Sequence, residues 1–222
     1  MASDPVRMDN PALDRLAESV YAAVVSDVCD RLGWRTRTMA PGLRVLSGSG
    51  VLIGFARAVR AEPVSRPPIR HYGAEIDLLD SLRPGEVVVA DTGGSDDAFW
   101  GELFATAARA RGARGVIVDG YVRDLVRLQA MDFGVHARGT RPADSLGRLS
   151  IVAGGMATVC GVEVRDGDLV VADADGVTVV PAEIAEQAIP LAVEKAAIES
   201  DARVLLQGGA LLADAWQRYQ VL

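Results

Sequence analysis

Between Ala12 and Val25 the apolar residues fall on a stripe with helical spacing. Asn10-Pro11 supplies the start signal, with proline at the first helical position. Ser26 is placed to cap a second short helix, SDVCDRLG, which Gly33 ends. The pattern then changes: Val51–Val59 reads as a strand and Ala74–Leu82 as a helix. Glu86–Ala90 (EVVVA) and Gly115–Val118 (GVIV) are short, continuous apolar runs of the kind that strands buried on both faces show. Helical stretches follow each of them, Trp100–Arg111 and Val122–Met131. Strand, helix and strand at these lengths predict parallel crossover units. Beyond Met156 come three Val-rich strands, Val159–Val164, Asp168–Ala172 and Val177–Val180, parted by the turns RDGD and ADADG. They predict a β-meander or a portion of a small barrel. Pro181 opens a long helical segment to about Leu206, in which Pro190 predicts a kink or break. Gly208-Gly209 ends it, and a last short helix follows.

No internal repeat, low-complexity tract or linker interrupts this order, so one domain over residues 1–222 is expected, with N-terminal helices at about 10–33 and C-terminal helices at about 182–219. Half of the residues are hydrophobic but only 5% are aromatic. Ala, Val, Leu and Gly carry the apolar mass, which favours a Val-rich sheet covered by Ala-rich helices, an α/β class. Lys and Arg total 23 against 30 Asp and Glu, a net charge of −7. A nucleic-acid partner that needs a broad basic face is not expected. Two cysteines, Cys29 and Cys160, form no CxxC pair or disulfide framework, so a reducing cytoplasm is the expected location. The N-terminal MASDPVRMDNPALD has no signal-peptide apolar core, and the apolar stretch near Ile151–Val162 is too short and glycine-rich to span a bilayer, so no membrane partner is expected.

Several chemistries are set aside by what is missing. With His71 and His136 as the only histidines, neither HExxH nor a three-histidine metal site can form. There is no GxSxG elbow and no P-loop, and GSGVLIG (Gly48–Gly54) enters a strand rather than a helix, so it reads as a turn. Cys29 lies on an apolar helix face and reads as packing. His136 and His71 read as half-buried, hydrogen-bonded residues.

Two segments carry possible chemistry. In DTGGSDDAFWGELFATAARARG (Asp91–Gly112) a strand gives way to a glycine-bearing loop and a helix that begins near Phe99 or Trp100. Such a loop turns backbone N–H groups and a helix N-terminus towards an anion, although an ordinary strand-to-helix turn has the same look. In VIVDGYVRD (Val116–Asp124) a strand runs into Arg123-Asp124. Arg123 offers a permanent cationic fork and Asp124 a hard oxygen ligand, and a cap with a surface ion pair is the plain alternative. Right-handed crossovers would place both turns at one edge of the sheet, next to each other. Amides for a carboxylate, a cation-binding acid and an arginine together suit a 2-oxo acid.

The string GELFATAARARGARGVIVDGYVRD, followed by FGVHARGTRPADSLGR, resembles the RraA-like family, whose metal-dependent members include 4-hydroxy-4-methyl-2-oxoglutarate aldolases. The likeness extends to SDVCDRLG near the start and GDLVVADADGVTVVP near the end, about Leu13 to Tyr219. It implies a swivelling β/β/α fold, a central mixed sheet flanked by helices, in homotrimers or homohexamers with sites between subunits. It further implies that Asp124 binds magnesium or manganese, and that Arg123 contacts the keto or enolate oxygen. Glu102 would hold a water on that ion, and loop amides from about Gly94 to Leu103, including Trp100 and Gly101, would bind the substrate carboxylate. An acid on the C-terminal helix, Glu199 with Glu194 as the second choice, would reach over from a neighbouring subunit. One stretch departs from the aldolases. Where they carry a Cys and a Gly-Asp-Asn element, this chain has SRPPIRHYGAEIDLLD, so its substrate-facing loop differs.

The expected activity is that of a carbon–carbon lyase, retro-aldol cleavage of a 4-hydroxy-2-oxo acid or decarboxylation of oxaloacetate, both through a pyruvate enolate. The single lysine, Lys195, lies in the C-terminal helix, and the scheme needs no Schiff base. The alternative is a protein-binding regulator of a ribonuclease, as RraA itself is. The regulator's pattern lacks the Asp after the Arg, so Asp124 favours the enzyme. A methyltransferase would need a glycine-rich adenosylmethionine loop, which the sequence does not offer.

Overall fold

A computed structural model describes residues 8–221. Helix α1 (Asn10–Ala17) is capped by Asp9, whose side chain accepts the Ala12 N–H at 2.9 Å. The single stripe expected over Ala12–Val25 is broken at residues 18–21, and α2 runs Ala22–Arg31. The break has a tertiary cause. Asp173 reaches across from another part of the chain and takes the Ala22 N–H at 2.8 Å, starting a new helix there. Ser26 lies inside α2 and does not cap it; its hydroxyl meets that of Thr38 at 3.0 Å.

The strands β1 (Arg44–Ser47), β2 (Leu52–Pro63), β3 (Glu86–Asp91), β5 (Gly115–Val122), β6 (Gly134–Thr140), β10 (Leu169–Ala172) and β11 (Val177–Val180) form one sheet, in the order β1-β6-β5-β3-β2-β10-β11. Short β4 (Ala98–Trp100) joins it beside β5, and β7 (Leu149–Ala153) beside β2. The pairs β2/β3, β3/β5 and β5/β6 are parallel, as the crossover pattern predicts, while β1, β7, β10 and β11 pair antiparallel. The result is the expected α/β architecture, a mixed sheet flanked by helices.

The continuous apolar runs have a plain cause. In β3, Val88 and Ala90 pack with α3 (Gly73–Ser81), α4 (Glu102–Ala110) and α5 (Leu125–Gln129), while Val87 and Val89 face a small β-hairpin. Both faces are covered, so alternation vanishes from the sequence. A third apolar cluster joins α1, α2 and α6 (Ala182–Gln207) to Ile53, Leu169 and Val171.

Three further expectations are corrected. The stretch Val159–Val164 is two strands, β8 (Met156–Val159) and β9 (Val162–Arg165), because Cys160 and Gly161 both turn with positive φ. The break allowed at Pro190 does not occur: helix α6 runs through it, and Pro190 and Glu186 both stand at exposed positions, where a lost helical hydrogen bond costs less. His136 is not half-buried and hydrogen-bonded. It is 3% exposed within β6, and neither ring nitrogen has a hydrogen-bond partner among the described residues. Burial lowers its pKa and keeps the ring neutral. His71, by contrast, is exposed. Cys29 is buried packing as expected, its thiol pushed up to about 11 chiefly by burial. Helix α7 (Leu212–Tyr219) ends the fold, and among the described residues no helix is long and apolar enough to cross a membrane.

Candidate active site

Strands β3 and β5 end together, with Asp91 opposite Asp119 in parallel register. The chain leaving β3 makes a loop at residues 92–97 and returns as β4, alongside Tyr121 and Val122. That return places Gly101 and Glu102 against Arg123 and Asp124. The expected helix start at Phe99 or Trp100 is therefore displaced: these residues are strand, and α4 begins at Glu102.

Backbone and side chain lock the two segments. The Arg123 N–H donates to the Trp100 carbonyl at 2.8 Å. The Glu102 N–H donates to Asp124 Oδ2 at 3.1 Å, so the acid after the arginine caps the first turn of α4. Asp124 has φ 61 and ψ 33, a left-handed conformation that aspartate tolerates better than most residues. No hydrogen bond among the described residues engages Asp124 Oδ1, and the side chain is 41% exposed. Glu102 accepts a hydrogen bond from the Thr106 hydroxyl at 2.9 Å, one turn along α4.

Arg123 lies between two carboxylates. Its Nε is 3.8 Å from Asp124 Oδ2, and Nη1 is 3.2 Å from Asp144 Oδ2. The Tyr72 hydroxyl donates to the same Asp144 oxygen. Burial, with the Asp144 charge adding to it, pushes the Tyr72 phenol up to about 12. Nearby Glu75 is buried and its carboxyl is raised by burial, with Asp144 contributing. The sequence reading gave Tyr72, Glu75, Asp144 and Thr106 no role. Asp144 stood within the string that carried the family likeness, and Tyr72 within the stretch noted as departing from it.

The other expected residues divide. Gly101 is where β4 turns into α4 and has no room for a side chain, and Leu103 is 73% exposed beside it. Gly94 sits in the loop with φ +75 and open space around it. The Trp100 ring is 1% exposed, stacked on Phe133 and edge-on to Phe104, so the side chain belongs to the core and only the backbone is left for the expected contact. Glu199 is not near Arg123 within one chain. It is held on α6 by Lys195 Nζ at 2.8 Å and by the Tyr21 hydroxyl. Burial opposes ionisation of Glu199, but the Lys195 and Tyr21 hydrogen bonds prevail and its pKa is lowered. Glu194 borders a separate cleft with Asp27, Arg31 and Tyr219. A larger cleft, lined by Ser47, Leu52, Arg114 and His136, lies at the amino ends of the parallel strands, away from this chemistry.

The donor set tests the fit to a metal ion. No three His, Cys, Asp or Glu side chains cluster among the described residues. Asp124 offers a partly exposed carboxylate with Oδ1 free of hydrogen bonds among the described residues, while Glu102 meets it through its backbone N–H and turns its carboxylate to Thr106. One carboxylate with water for the rest of the shell suits a hydrated magnesium ion and would not serve a dedicated zinc cage.

Residues 22–179 match the RraA-like family model, described as Aldolase/RraA. A protein of Halalkalibacterium halodurans that carries the provisional name 4-hydroxy-4-methyl-2-oxoglutarate aldolase is 32% identical over 187 residues, 81% of each chain. One of Halorhodospira halophila with the same provisional name is 33% identical over 170 residues, 73% of this chain and 98% of its own. Among solved structures, Streptomyces coelicolor RraAS2, described as an unusual member of the RNase ES inhibitor RraA protein family, superimposes with a TM-score of 0.78 at 28% identity, covering 89% of this chain and 99% of the other.

Proposed function

The chain belongs to the RraA-like family, and from that premise we propose that it is a divalent-metal-dependent lyase that cleaves a carbon–carbon bond of a small 2-oxo acid. The observation that carries the reading is the pairing of Arg123 with Asp124 at the carboxyl edge of β5, Asp124 Oδ2 capping Glu102 and Oδ1 without a protein partner among the described residues. Asp124 has a structural use as the cap of Glu102, but that occupies only Oδ2, and Oδ1 of the partly exposed side chain, beside Arg123, is what a ligand-binding acid offers and a cap does not need. This favours catalysis over the regulator's role that the Streptomyces relative's description carries for its own family.

Asp124 would hold the ion, magnesium or manganese, and Glu102 a water on it. When bound, the ion supplies Lewis acidity at the carboxylate and keto oxygens of the 2-oxo acid. The chain's own groups do the rest. The amides of the turn at Gly101 and Leu103 orient the substrate carboxylate at the start of α4. Glu102 takes the 4-hydroxyl proton through water, aided by Glu199 contributed by a neighbouring copy in a trimer or hexamer. The C3–C4 bond then breaks, C4 leaves as a carbonyl, and the electron pair passes to the keto oxygen as an enolate. Arg123 faces that new charge with a planar fork and stabilises it. Return of a proton to C3 yields pyruvate. Oxaloacetate has no 4-hydroxyl proton to lose: its ionised C4 carboxylate departs as carbon dioxide, and the C3–C4 electron pair passes to the keto oxygen as the same enolate.

The test is pyruvate formation from a panel of 4-hydroxy-2-oxo acids and oxaloacetate, read with lactate dehydrogenase. Pyruvate is expected with magnesium or manganese, with loss after EDTA and recovery on adding the metal back. Full turnover by stripped protein overturns the metal, and no pyruvate from any substrate overturns the lyase.

A further inference from the structure

We propose that Tyr72 and Asp144 are a positioning pair that holds the Arg123 guanidinium in its working orientation, a role that rests on the lyase reading above. Three separate parts of the chain converge to make the contact. Asp144 is placed by backbone pairing on both sides: the Ala98 N–H donates to the Ala143 carbonyl at 2.9 Å, and the Ser145 N–H to the Ala98 carbonyl at 3.2 Å. Residues 143–145 therefore lie along β4, and Asp144 faces Arg123 at 3.2 Å. Tyr72 comes from the turn before α3. Its ring meets Phe104, in the first turn of α4, edge-on at 5.9 Å between centroids. Its hydroxyl donates to the oxygen that Arg123 also contacts.

Two features set this apart from a simple surface clasp. Tyr72 has φ 54 and ψ 16, a left-handed conformation that aromatic residues avoid, and its side chain makes no cap for α3 that would account for it. The strain is met where the phenol reaches Asp144. In addition, Asp144 Oδ2 serves both groups, so removing the phenol frees the carboxylate to shift and changes the aim of Arg123. With Asp144 3.2 Å from Nη1 and Asp124 3.8 Å from Nε, the guanidinium is held closely at one corner and only loosely paired at the other, and the remaining N–H groups stay available to an enolate oxygen.

The experiment uses full-length protein with Tyr72→Phe, Asp144→Asn and Arg123→Ala, singly and as Tyr72→Phe/Arg123→Ala and Asp144→Asn/Arg123→Ala. Steady-state pyruvate formation, melting temperature and 15N relaxation of the Arg123 Nε–H are recorded. Tyr72→Phe should lower kcat about 5- to 20-fold with KM within about twofold, because a misaimed arginine fails the transition state more than the ground state. Asp144→Asn should lower kcat about 10- to 100-fold. In the Arg123→Ala background neither change should cost more than about a further twofold, since the pair acts through that residue. The Arg123 Nε–H should become more mobile in Tyr72→Phe at an unchanged melting temperature. Equal kcat losses with and without Arg123 would overturn the pair, as would wild-type kcat and Nε–H order in both single variants. Should Asp144→Asn not fold, Tyr72→Phe decides alone. If the wild type turns over no 2-oxo acid while Arg123 still loosens in Tyr72→Phe, the lyase reading fails and the pair stands.

Discussion

Substituting alanine for Gly101 adds one methyl group at the most crowded point of the site. The new Cβ would lie 2.8 Å from Asp124 Oδ2, 3.1 Å from Arg123 Cγ and 3.3 Å from Arg123 Nε. The backbone there is extended, φ −150 and ψ −175, so alanine brings no conformational strain and the whole cost sits in those contacts. A carbon and an oxygen rest comfortably at about 3.3 Å, so the Asp124 carboxylate must retreat by about 0.5 Å, with Arg123 yielding a few tenths. Misplacing a reacting group by about 1 Å costs on the order of 100-fold in rate, so half of that displacement predicts about a tenfold loss in kcat. Magnesium affinity should fall with it, because the displaced group is the proposed ligand. Overpacking costs about 1–3 kcal/mol, and the lower end applies because Asp124 is 41% exposed and has somewhere to go. For a chain of this size that is a drop of about 2–4 °C in melting temperature. The assays are pyruvate formation, calorimetric magnesium titration and a thermal melt. A Gly101→Ala protein with wild-type kcat and magnesium affinity would refute the reasoning, since the two residues crowded most would then not set the rate.

Arg123→Ala should lose about 10²–10³ in kcat, and Arg123→Lys should recover only part of it, with the melting temperature held in both; near-normal turnover would return the arginine to a plain ion pair. Glu75→Gln should melt higher than wild type at pH 8. The buried carboxyl titrates above its ordinary 4.5, so the stability it allows is full below that value and is lost as pH rises through the raised one; the variant's advantage should vanish near pH 4, and a pH-independent difference would contradict the assignment. Light scattering should find a trimer or hexamer, and a monomer at working concentration would leave Glu199 tied to Lys195 with no site to serve.

The parallel core was readable because β3 and β5 are buried on both faces, which leaves continuous apolar runs spaced by helical stretches, whereas the similar runs of β10 and β11 are spaced only by turns. The Arg123-Asp124 pair was readable for a related reason, since it stands where such a run stops. Other features depended on distant partners and left no local trace. Asp173 splits what looks like one helix into α1 and α2. Three-residue β4 is too short to have a period, yet it buries the Trp100 ring and brings Glu102 against Asp124. Tyr72 and Asp144 are separated by 72 positions and are brought together only when the turn before α3 meets the segment that runs along β4. Pro190 carries a strong local signal for a break, yet α6 runs on through it at an exposed position.

The left-handed turn at Asp124 has a consequence for what can replace it. Aspartate and asparagine are the side chains of this length that accept φ 61, and an asparagine oxygen can cap the Glu102 N–H as the carboxylate does. Exchanging one for the other removes a negative charge, and with it the Arg123 Nε ion pair, while leaving the backbone and the cap in place. On the proposed reading, the site would be disarmed by one side-chain atom without the chain being unfolded. A protein that lost its chemistry this way would keep an intact, well-folded surface on which a binding role could be built.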